Sequence, residues 1–254
     1  MAKIALITGA TSGIGEACAH VFAREKYNLI LTCRRVDRLD KLGKKLNTKY
    51  NVEIAVSAFD VRDRAQVISS LEELPAKWRK VNVLVNNAGL SQGLDPIDKG
   101  SYDDWDTMID TNIKGLLNVT KVVSNWMVER KKGHIVNIGS IAGKEVYPNG
   151  NVYCATKSAV DALSKAMRID LVTYGIKVTV IDPGAVETEF SEVRFKGDKE
   201  RAKKVYDGFE PLVADDIAET IWFAVSRPAH VNINEMTVMP TAQASAAIIN
   251  RRLS

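Results

Sequence analysis

Short apolar runs alternate with longer amphipathic segments along the chain. Seven runs are almost continuously hydrophobic, as expected of strands buried on both faces of a parallel sheet: Ile4–Thr8, Asn28–Cys33, Val52–Ser57, Val81–Asn86, His134–Ile138, Lys177–Ile181 and Met236–Val238. The segments between them have helical character: Gly13–Lys26, Arg38–Tyr50, Asp63–Leu74, Tyr102–Arg130, Val152–Tyr174 and Ala214–Ser226. This alternation predicts an α/β fold with right-handed crossovers: a doubly wound, Rossmann-type parallel sheet of about seven strands, with helices on both faces.

Composition adds limits on organisation and location. No linker or repeat divides the 254 residues, so we expect one domain, 1–254. The net charge is only 35 − 31 = +4 and its basic residues are scattered, which argues against a nucleic-acid partner. No apolar stretch approaches the ~20 residues of a membrane span, and the chain opens on a strand without a signal peptide. Three cysteines without metal-ligand spacing favour a cytoplasmic protein and no metal site.

A glycine-rich turn follows the first strand and opens the first helix, with spacing G-x-x-x-G-x-G. Glycines at such a turn let the backbone approach a pyrophosphate, and the helix N-terminus offers free N–H groups and a partial positive charge. A tight structural turn would also use glycines, but the position between strand and helix favours a dinucleotide site. Its candidate residues are Gly9, Thr11, Ser12, Gly13, Ile14 and Gly15.

The end of the second strand indicates which dinucleotide is bound. NAD sites of this kind place an acid there to hold the adenosine ribose hydroxyls. Here Cys33 occupies that place, and Arg34 and Arg35 follow. Two guanidinium groups suit a 2′-phosphate, so the pattern predicts NADP(H). The alternative is that both arginines only cover the start of a helix.

Tyr153 and Lys157 form a Y-x-x-x-K pair, with Ser140 upstream. Residues four apart share one helix face. A phenol titrates near ~10, and acid–base work near neutrality requires a pKa lower by ~3 units. A neighbouring ammonium favours phenolate and therefore acts in the required direction.

With Asn86-Asn87-Ala88-Gly89 after the fourth strand, these motifs resemble the short-chain dehydrogenase/reductase family along essentially the whole chain. The resemblance implies that Tyr153 is the acid/base, that Lys157 lowers its pKa and contacts the nicotinamide ribose, and that Ser140 orients the substrate oxygen. It also implies that Asn112 supports a proton relay through water. Further cofactor contacts implied by the resemblance are Asp60, Val61, Asn87, Ala88, Gly89, Pro183, Gly184, Val186 and Thr188.

Three further stretches are similar to one branch of that family, the NADP-dependent 3-hydroxy acid dehydrogenases, which include L-allo-threonine and serine dehydrogenases. They are 85–90, 187–198 and 228–234. This similarity implies hydride transfer at the 3-hydroxyl of small 3-hydroxy acids such as serine, L-allo-threonine and 3-hydroxypropionate, and a homotetramer. We predict that Arg194, on the loop after Thr188, binds the substrate carboxylate; Lys144 and Lys196 are the alternative cations.

Two other functions remain open at this point. One is a different NADP-dependent reductase of the family, with a 3-oxoacyl or a sugar or polyol substrate. Many 3-oxoacyl reductases end the last strand in Asp-Gly-Gly, whereas this chain has Val238-Met239-Pro240 there. The other is a non-catalytic NADP sensor, which the presence of all four family groups, Asn112, Ser140, Tyr153 and Lys157, disfavours.

Overall fold

The central sheet has seven parallel strands. The structure is a computed structural model that describes residues 2–251. The strands of this sheet are β1 (Ile4–Thr8), β2 (Asn28–Cys33), β3 (Ile54–Ala58), β4 (Val83–Asn86), β5 (Gly133–Ile138), β6 (Ile176–Pro183) and β9 (Glu235–Val238). Their order across the sheet is β3-β2-β1-β4-β5-β6-β9, and the two short strands between β6 and β9 in the chain lie outside it. The predicted Rossmann-type sheet is confirmed.

Helices cover both faces of the sheet. They are α1 (Gly13–Arg24), α2 (Val36–Tyr50), α3 (Arg64–Glu72), α4 (Tyr102–Ile109), α5 (Leu116–Arg130), α6 (Asn151–Leu171) and α9 (Ala214–Val225). Alternate residues of one strand enter different cores: Ile7 packs in the cluster with α1, α2 and α9, and Leu6 in the cluster with α3 and α5. This two-sided burial explains why the strands are hydrophobic at nearly every position.

Several element bounds differ from the sequence prediction. The predicted helix from Tyr102 to Arg130 contains a π-helical turn at Asp110–Gly115, which separates α4 from α5. Helix α1 ends at Arg24 rather than Lys26, because Lys26 has a left-handed backbone with φ 62°. Strand β3 begins two residues later than predicted, and β6 continues through Pro183.

Residues 186–213 form a segment that the hydrophobic pattern did not predict, and we call it the cap segment. Two short strands, β7 (Val186–Glu187) and β8 (Leu212–Val213), pair in parallel at its base. Between them lie the short helices α7 (Phe190–Arg194) and α8 (Lys199–Lys204). Elements this short leave no periodic signal in the sequence. Across residues 2–251, no helix is long and apolar enough to cross a membrane.

Candidate active site and nucleotide cleft

A cleft opens at the carboxyl ends of the strands, where the order reverses between β1 and β4. Doubly wound sheets bind their ligands at this switch point. The cleft brings together eighteen of the nineteen residues predicted to contact the cofactor, and they are Gly9, Thr11, Ser12, Gly13, Ile14, Arg34, Arg35, Asp60, Val61, Asn87, Ala88, Gly89, Tyr153, Lys157, Pro183, Gly184, Val186 and Thr188.

Gly15 is the exception, since it does not line the cleft. A Cβ at this position would overlap the carbonyl oxygen of Gly9. The third glycine of the motif therefore allows helix α1 to pack against the turn that precedes it. Its effect on a bound cofactor is indirect, through the shape of that turn.

The glycine turn is braced by side chains from β1 and β4. Asn87 donates through Nδ2 to the carbonyls of Thr8 (2.9 Å) and Gly9 (3.2 Å). Thr8 Oγ1 accepts the backbone N–H groups of Asn87 (3.0 Å) and Ala88 (2.9 Å). Ser12 precedes α1 without a side-chain capping bond, and the start of the helix, Ser12 to Ile14, lines the cleft. This arrangement fits a pyrophosphate.

Arg35 lies against the glycine turn. Its Nη2 donates to Thr11 Oγ1 (3.2 Å) and Ser12 Oγ (3.4 Å), and its backbone N–H donates to Cys33 Sγ (3.0 Å). Arg34 is more open, with 63% of its side chain exposed and Nη1 at 3.8 Å from Asp60. A 2′-phosphate near Cys33 would lie within reach of Arg35, whereas Arg34 extends toward Asp60.

Three charged residues at this end of the cleft were not predicted from the sequence: Arg62, which forms an ion pair with Asp60 (2.6 Å), Arg38 and Glu189. Glu189, at the start of the cap segment, lies 3.3 Å from Arg38 and 3.7 Å from Arg35. Arg38 comes four residues after Arg34, in the first turn of α2, and this spacing could have indicated a third cation near the two arginines. Nothing in the local sequence indicates Glu189, since it comes from a segment more than 150 residues away.

We expect the Arg34→Met/Arg35→Met variant to bind NADPH about 10- to 100-fold more weakly, because the charge-assisted hydrogen bond from Arg35 contributes ~1.5–3 kcal/mol and the more open Arg34 adds little. NADH affinity should change little. Fluorescence titration with both cofactors measures this. The control is Lys44→Met/Lys45→Met, which removes the same charge from exposed positions of α2. Equal losses for NADPH and NADH would show that the two arginines do not recognise the 2′-phosphate.

Tyr153 and Lys157 lie on the first turns of α6, both buried, and face the end of β5. Lys157 Nζ donates to the carbonyl oxygen of Ile138 (2.8 Å) and lies 5.9 Å from the centre of the Tyr153 ring. Ser140, also buried, follows β5, and its Oγ accepts the N–H of Ala142 (3.1 Å). Three of the four predicted catalytic side chains therefore meet at the inner end of the cleft.

Asn112 lies within the π-helical turn, buried behind these three residues. Its Oδ1 accepts the N–H of Leu90 (2.9 Å), and its Nδ2 donates to the Leu90 carbonyl (2.8 Å) and to Thr156 Oγ1 (3.0 Å). Both the oxygen and the nitrogen of the Asn112 side-chain amide are hydrogen-bonded to protein groups. A contact with a water molecule of the implied proton relay would therefore have to come from the backbone of this turn. Isolated π-turns of this kind are frequent at functional sites.

Burial dominates the titration of both central residues. It raises the pKa of Tyr153 to about 12, opposed by the Arg194 guanidinium and by a hydrogen bond with Ser140. It lowers the pKa of Lys157 to about 8, opposed by the negative charge of Asp182. The sequence predicts that Lys157 lowers the pKa of Tyr153, whereas the cation that lowers it in the structure is Arg194.

Arg194, at the end of α7, reaches over the tyrosine. Its guanidinium carbon lies 5.3 Å from the ring centres of Tyr153 and Phe190. Nε donates to Ser91 Oγ (3.1 Å) and Nη2 to Tyr147 Oη (2.8 Å). Among residues 2–251 no carboxylate forms an ion pair with this half-buried guanidinium, and Phe190 and Val193 beside it line the cleft, although Arg194 itself does not.

The two alternative cations are engaged elsewhere. Lys196 forms an ion pair with Asp104 (2.9 Å). Lys144 lies between Asp161 (2.6 Å) and Glu235 (3.1 Å). Like Arg194, neither lines the cleft, so the difference from Arg194 is that each has a carboxylate partner.

Comparisons with known proteins agree with this geometry. A profile described as short chain dehydrogenase matches residues 3–199. The NADP-dependent 3-hydroxy acid dehydrogenase of Salmonella typhi is 48% identical over 96% of this chain and 98% of its own. Sulfoacetaldehyde reductase 2 of Chromohalobacter salexigens is 47% identical, covering 97% and 98%. The closed form of a serine dehydrogenase complexed with NADP+ superposes with a TM-score of 0.91 at 46% identity, covering 98% and 100%.

Proposed function

Because this chain belongs to the short chain dehydrogenase family, we propose that it moves a hydride between NADP(H) and the C3 carbon of small 3-hydroxy acids. The predictions of an oxidoreductase and of NADP(H) as its cofactor are confirmed by the relatives and by the NADP-bound serine dehydrogenase. The identity of the acid, and the role of each site residue, belong to the proposal.

The observation that carries the substrate class is the position of Arg194. A 3-hydroxy acid has its carboxylate two bonds from the reacting carbon, so the anchoring cation must lie close to the acid/base. Arg194 lies over the Tyr153 ring and lacks a carboxylate partner among the described residues. A guanidinium can bind both oxygens of a carboxylate through its fork. Neutral 3-oxoacyl esters, sugars and polyols have no group that would use this charge.

The relative that is named a sulfoacetaldehyde reductase suggests a second candidate substrate, similar in shape to a 3-oxo acid. In sulfoacetaldehyde the sulfonate sulfur is also two bonds from the carbonyl carbon, in the place that the carboxyl carbon has in a 3-oxo acid. Ser91 and Tyr147 hydroxyls beside Arg194 offer additional contacts for a third oxygen. A sulfonate is therefore the second substrate class to test.

The chain's own residues supply position and acid–base chemistry. Bound NADP(H) supplies the hydride acceptor or donor. Arg194 would hold the acid group, and Ser140 would orient the reacting oxygen toward Tyr153. In oxidation Tyr153 accepts the hydroxyl proton as phenolate, and in reduction it returns the proton. Arg194 favours the phenolate, the ammonium of Lys157 would add to this effect, and the main chain at Asn112 would hold a water molecule of the proton relay.

The proposal is tested by steady-state kinetics with NADP(H) in both directions. The panel pairs serine, L-allo-threonine and 3-hydroxypropionate with sulfoacetaldehyde and with neutral alcohols and ketones of similar size. We expect kcat/KM to be at least about 100-fold higher for the compounds that carry a carboxylate or sulfonate than for those without one, corresponding to ~2.7 kcal/mol. Comparable values for neutral substrates would refute the assignment to 3-hydroxy acids.

We also propose that the chain acts as a homotetramer. Support comes from the family resemblance and from exposed apolar side chains at the end of α6 and on α5: Ile169 is 75% exposed, Val172 64% and Leu117 39%. Light scattering after gel filtration should give the mass of four chains, and a monomer mass would contradict the proposal. One domain over residues 1–254 and a cytoplasmic location stay predictions from the sequence.

A further inference from the structure

Asp182 is a buried acid that lies next to the candidate active site but outside the cleft lining. It stands near the end of β6 and is 1% exposed. Its Oδ1 accepts the backbone N–H of Ser140 at 3.0 Å. The carboxylate therefore binds the residue whose side chain we expect to orient the substrate oxygen.

Gly139 makes this contact possible. A Cβ at position 139 would overlap Oδ1 of Asp182. The N–H of Gly139 donates to the Ile181 carbonyl at 2.7 Å, so two consecutive residues of the β5 end are bound to β6. The direction in which Ser140 leaves the strand is thus determined by contacts with residues 181 and 182.

One cation balances the charge of this acid. Lys144 Nζ lies 3.5 Å from Asp182 Oδ2, an oxygen without a hydrogen bond among the described residues. The same ammonium contacts Asp161 on α6 (2.6 Å) and Glu235 on β9 (3.1 Å). Burial raises the pKa of Asp182, while Lys144 and the Ser140 N–H oppose this effect.

Asp182 also acts on Lys157. The ammonium of Lys157 is buried, which lowers its pKa to about 8, and the charge of Asp182 opposes that loss. Resting on the proposed roles of Ser140 and Lys157, we propose that Asp182 is a positioning residue of the active site. Its carboxylate, paired with Lys144, holds the Gly139–Ser140 backbone next to the Ile138 carbonyl that binds the ammonium of Lys157.

The Asp182→Asn variant separates charge from shape, because the amide oxygen can still accept the Ser140 N–H. We expect the titration midpoint of Lys157 to fall by about 0.5 to 1 pH unit. NMR of protein labelled with ¹³C at lysine Cε measures this without cofactor or substrate, and Lys157→Arg assigns the signal. With the working enzyme, the high-pH fall of kcat/KM for carbonyl reduction should move to lower pH by a similar amount, since Lys157 loses its proton earlier.

Asp161→Asn is the matched control. It removes a second carboxylate from Lys144 but leaves the Ser140 contact intact, and the charge on Asp161 is not among the groups that shift Lys157. We expect its Lys157 midpoint to stay within about 0.2 pH unit of the parent. Equal shifts in Asp161→Asn and Asp182→Asn would overturn the proposal, because they would reflect net charge alone.

Gly139→Ala tests the backbone contact by a second route and does not depend on Asp182→Asn being stable. The added methyl has no room beside the carboxylate, so Ser140 must shift. We expect kcat to fall about 10-fold or more, by a larger factor than the affinity for NADPH, although Gly139 also lines the cleft. Full kcat in this variant, or an unchanged Lys157 midpoint in Asp182→Asn, would overturn the proposal. If the parent protein turned over none of the anionic substrates, the proposed function would fail while the NMR titration still tested Asp182.

Discussion

We expect Tyr153→Phe to lose at least about 10²- to 10⁴-fold in kcat, the range that general acid–base catalysis contributes. Phenylalanine keeps the ring that packs against Phe190, 5.7 Å between centres, and removes only the proton carrier. NADPH affinity should change little, because the phenol is directed at the substrate. Stopped-flow turnover and fluorescence titration measure the two quantities on the same preparation.

Tyr27→Phe is the control for this prediction. Tyr27 is equally buried but packs against Phe22 and Trp222, away from the cleft. Removing its hydroxyl should leave kcat at the parental level. A Tyr153→Phe enzyme with near-parental turnover would mean that the acid/base lies elsewhere, and the proposed roles of Ser140 and Lys157 would fall with it.

The second large effect is expected for Arg194→Met, which keeps much of the aliphatic stem and removes the charge. The substrate carboxylate would be left buried without a partner, which costs ~2–4 kcal/mol in kcat/KM, or about 30- to 1,000-fold. The same change raises the pKa of Tyr153 by removing a cation that lowers it. Because that effect acts on all substrates, the measured quantity is the ratio of kcat/KM for an acid to that for a neutral alcohol.

Lys196→Met is the matched control, since it removes a cation two residues away whose partner is Asp104. It should leave the acid-to-alcohol ratio unchanged. A uniform loss in Arg194→Met, equal for acids and alcohols, would indicate instead that the guanidinium holds the cap segment through Ser91 and Tyr147. Parental activity with acids would show that Arg194 does not bind the substrate.

The parallel sheet could be predicted because its strands carry their own signal. Burial on both faces makes β1 and β2 hydrophobic along their whole length, and the sequence prediction reproduced both bounds, Ile4–Thr8 and Asn28–Cys33. The glycine turn and the Tyr153–Lys157 pair could be predicted for a similar reason. Each lies within a few residues of chain, where a tight turn or one helical turn brings the groups together.

Other features depend on segments that are distant in the sequence. The bond between Arg194 and Ser91 joins residues 103 apart, and that between Ser140 and Asp182 joins residues 42 apart. Tyr147 and Ser91 carry no motif, so their place beside the guanidinium could not be predicted. The cap segment was also missed, because its two-residue strands form only when residues 186–187 and 212–213 meet.

The sequence by itself determined the sheet, the glycine turn and the candidate acid–base pair, because periodicity and close spacing express local geometry. Only the tertiary structure decided how these groups are charged and aimed. It placed Arg194 rather than Lys144 or Lys196 over Tyr153, and it set Asp182 against the backbone of Ser140. The physical reason is that a pKa, or the direction of a side chain, depends on burial and on charges brought by other strands and helices, and these exist only once the chain has folded.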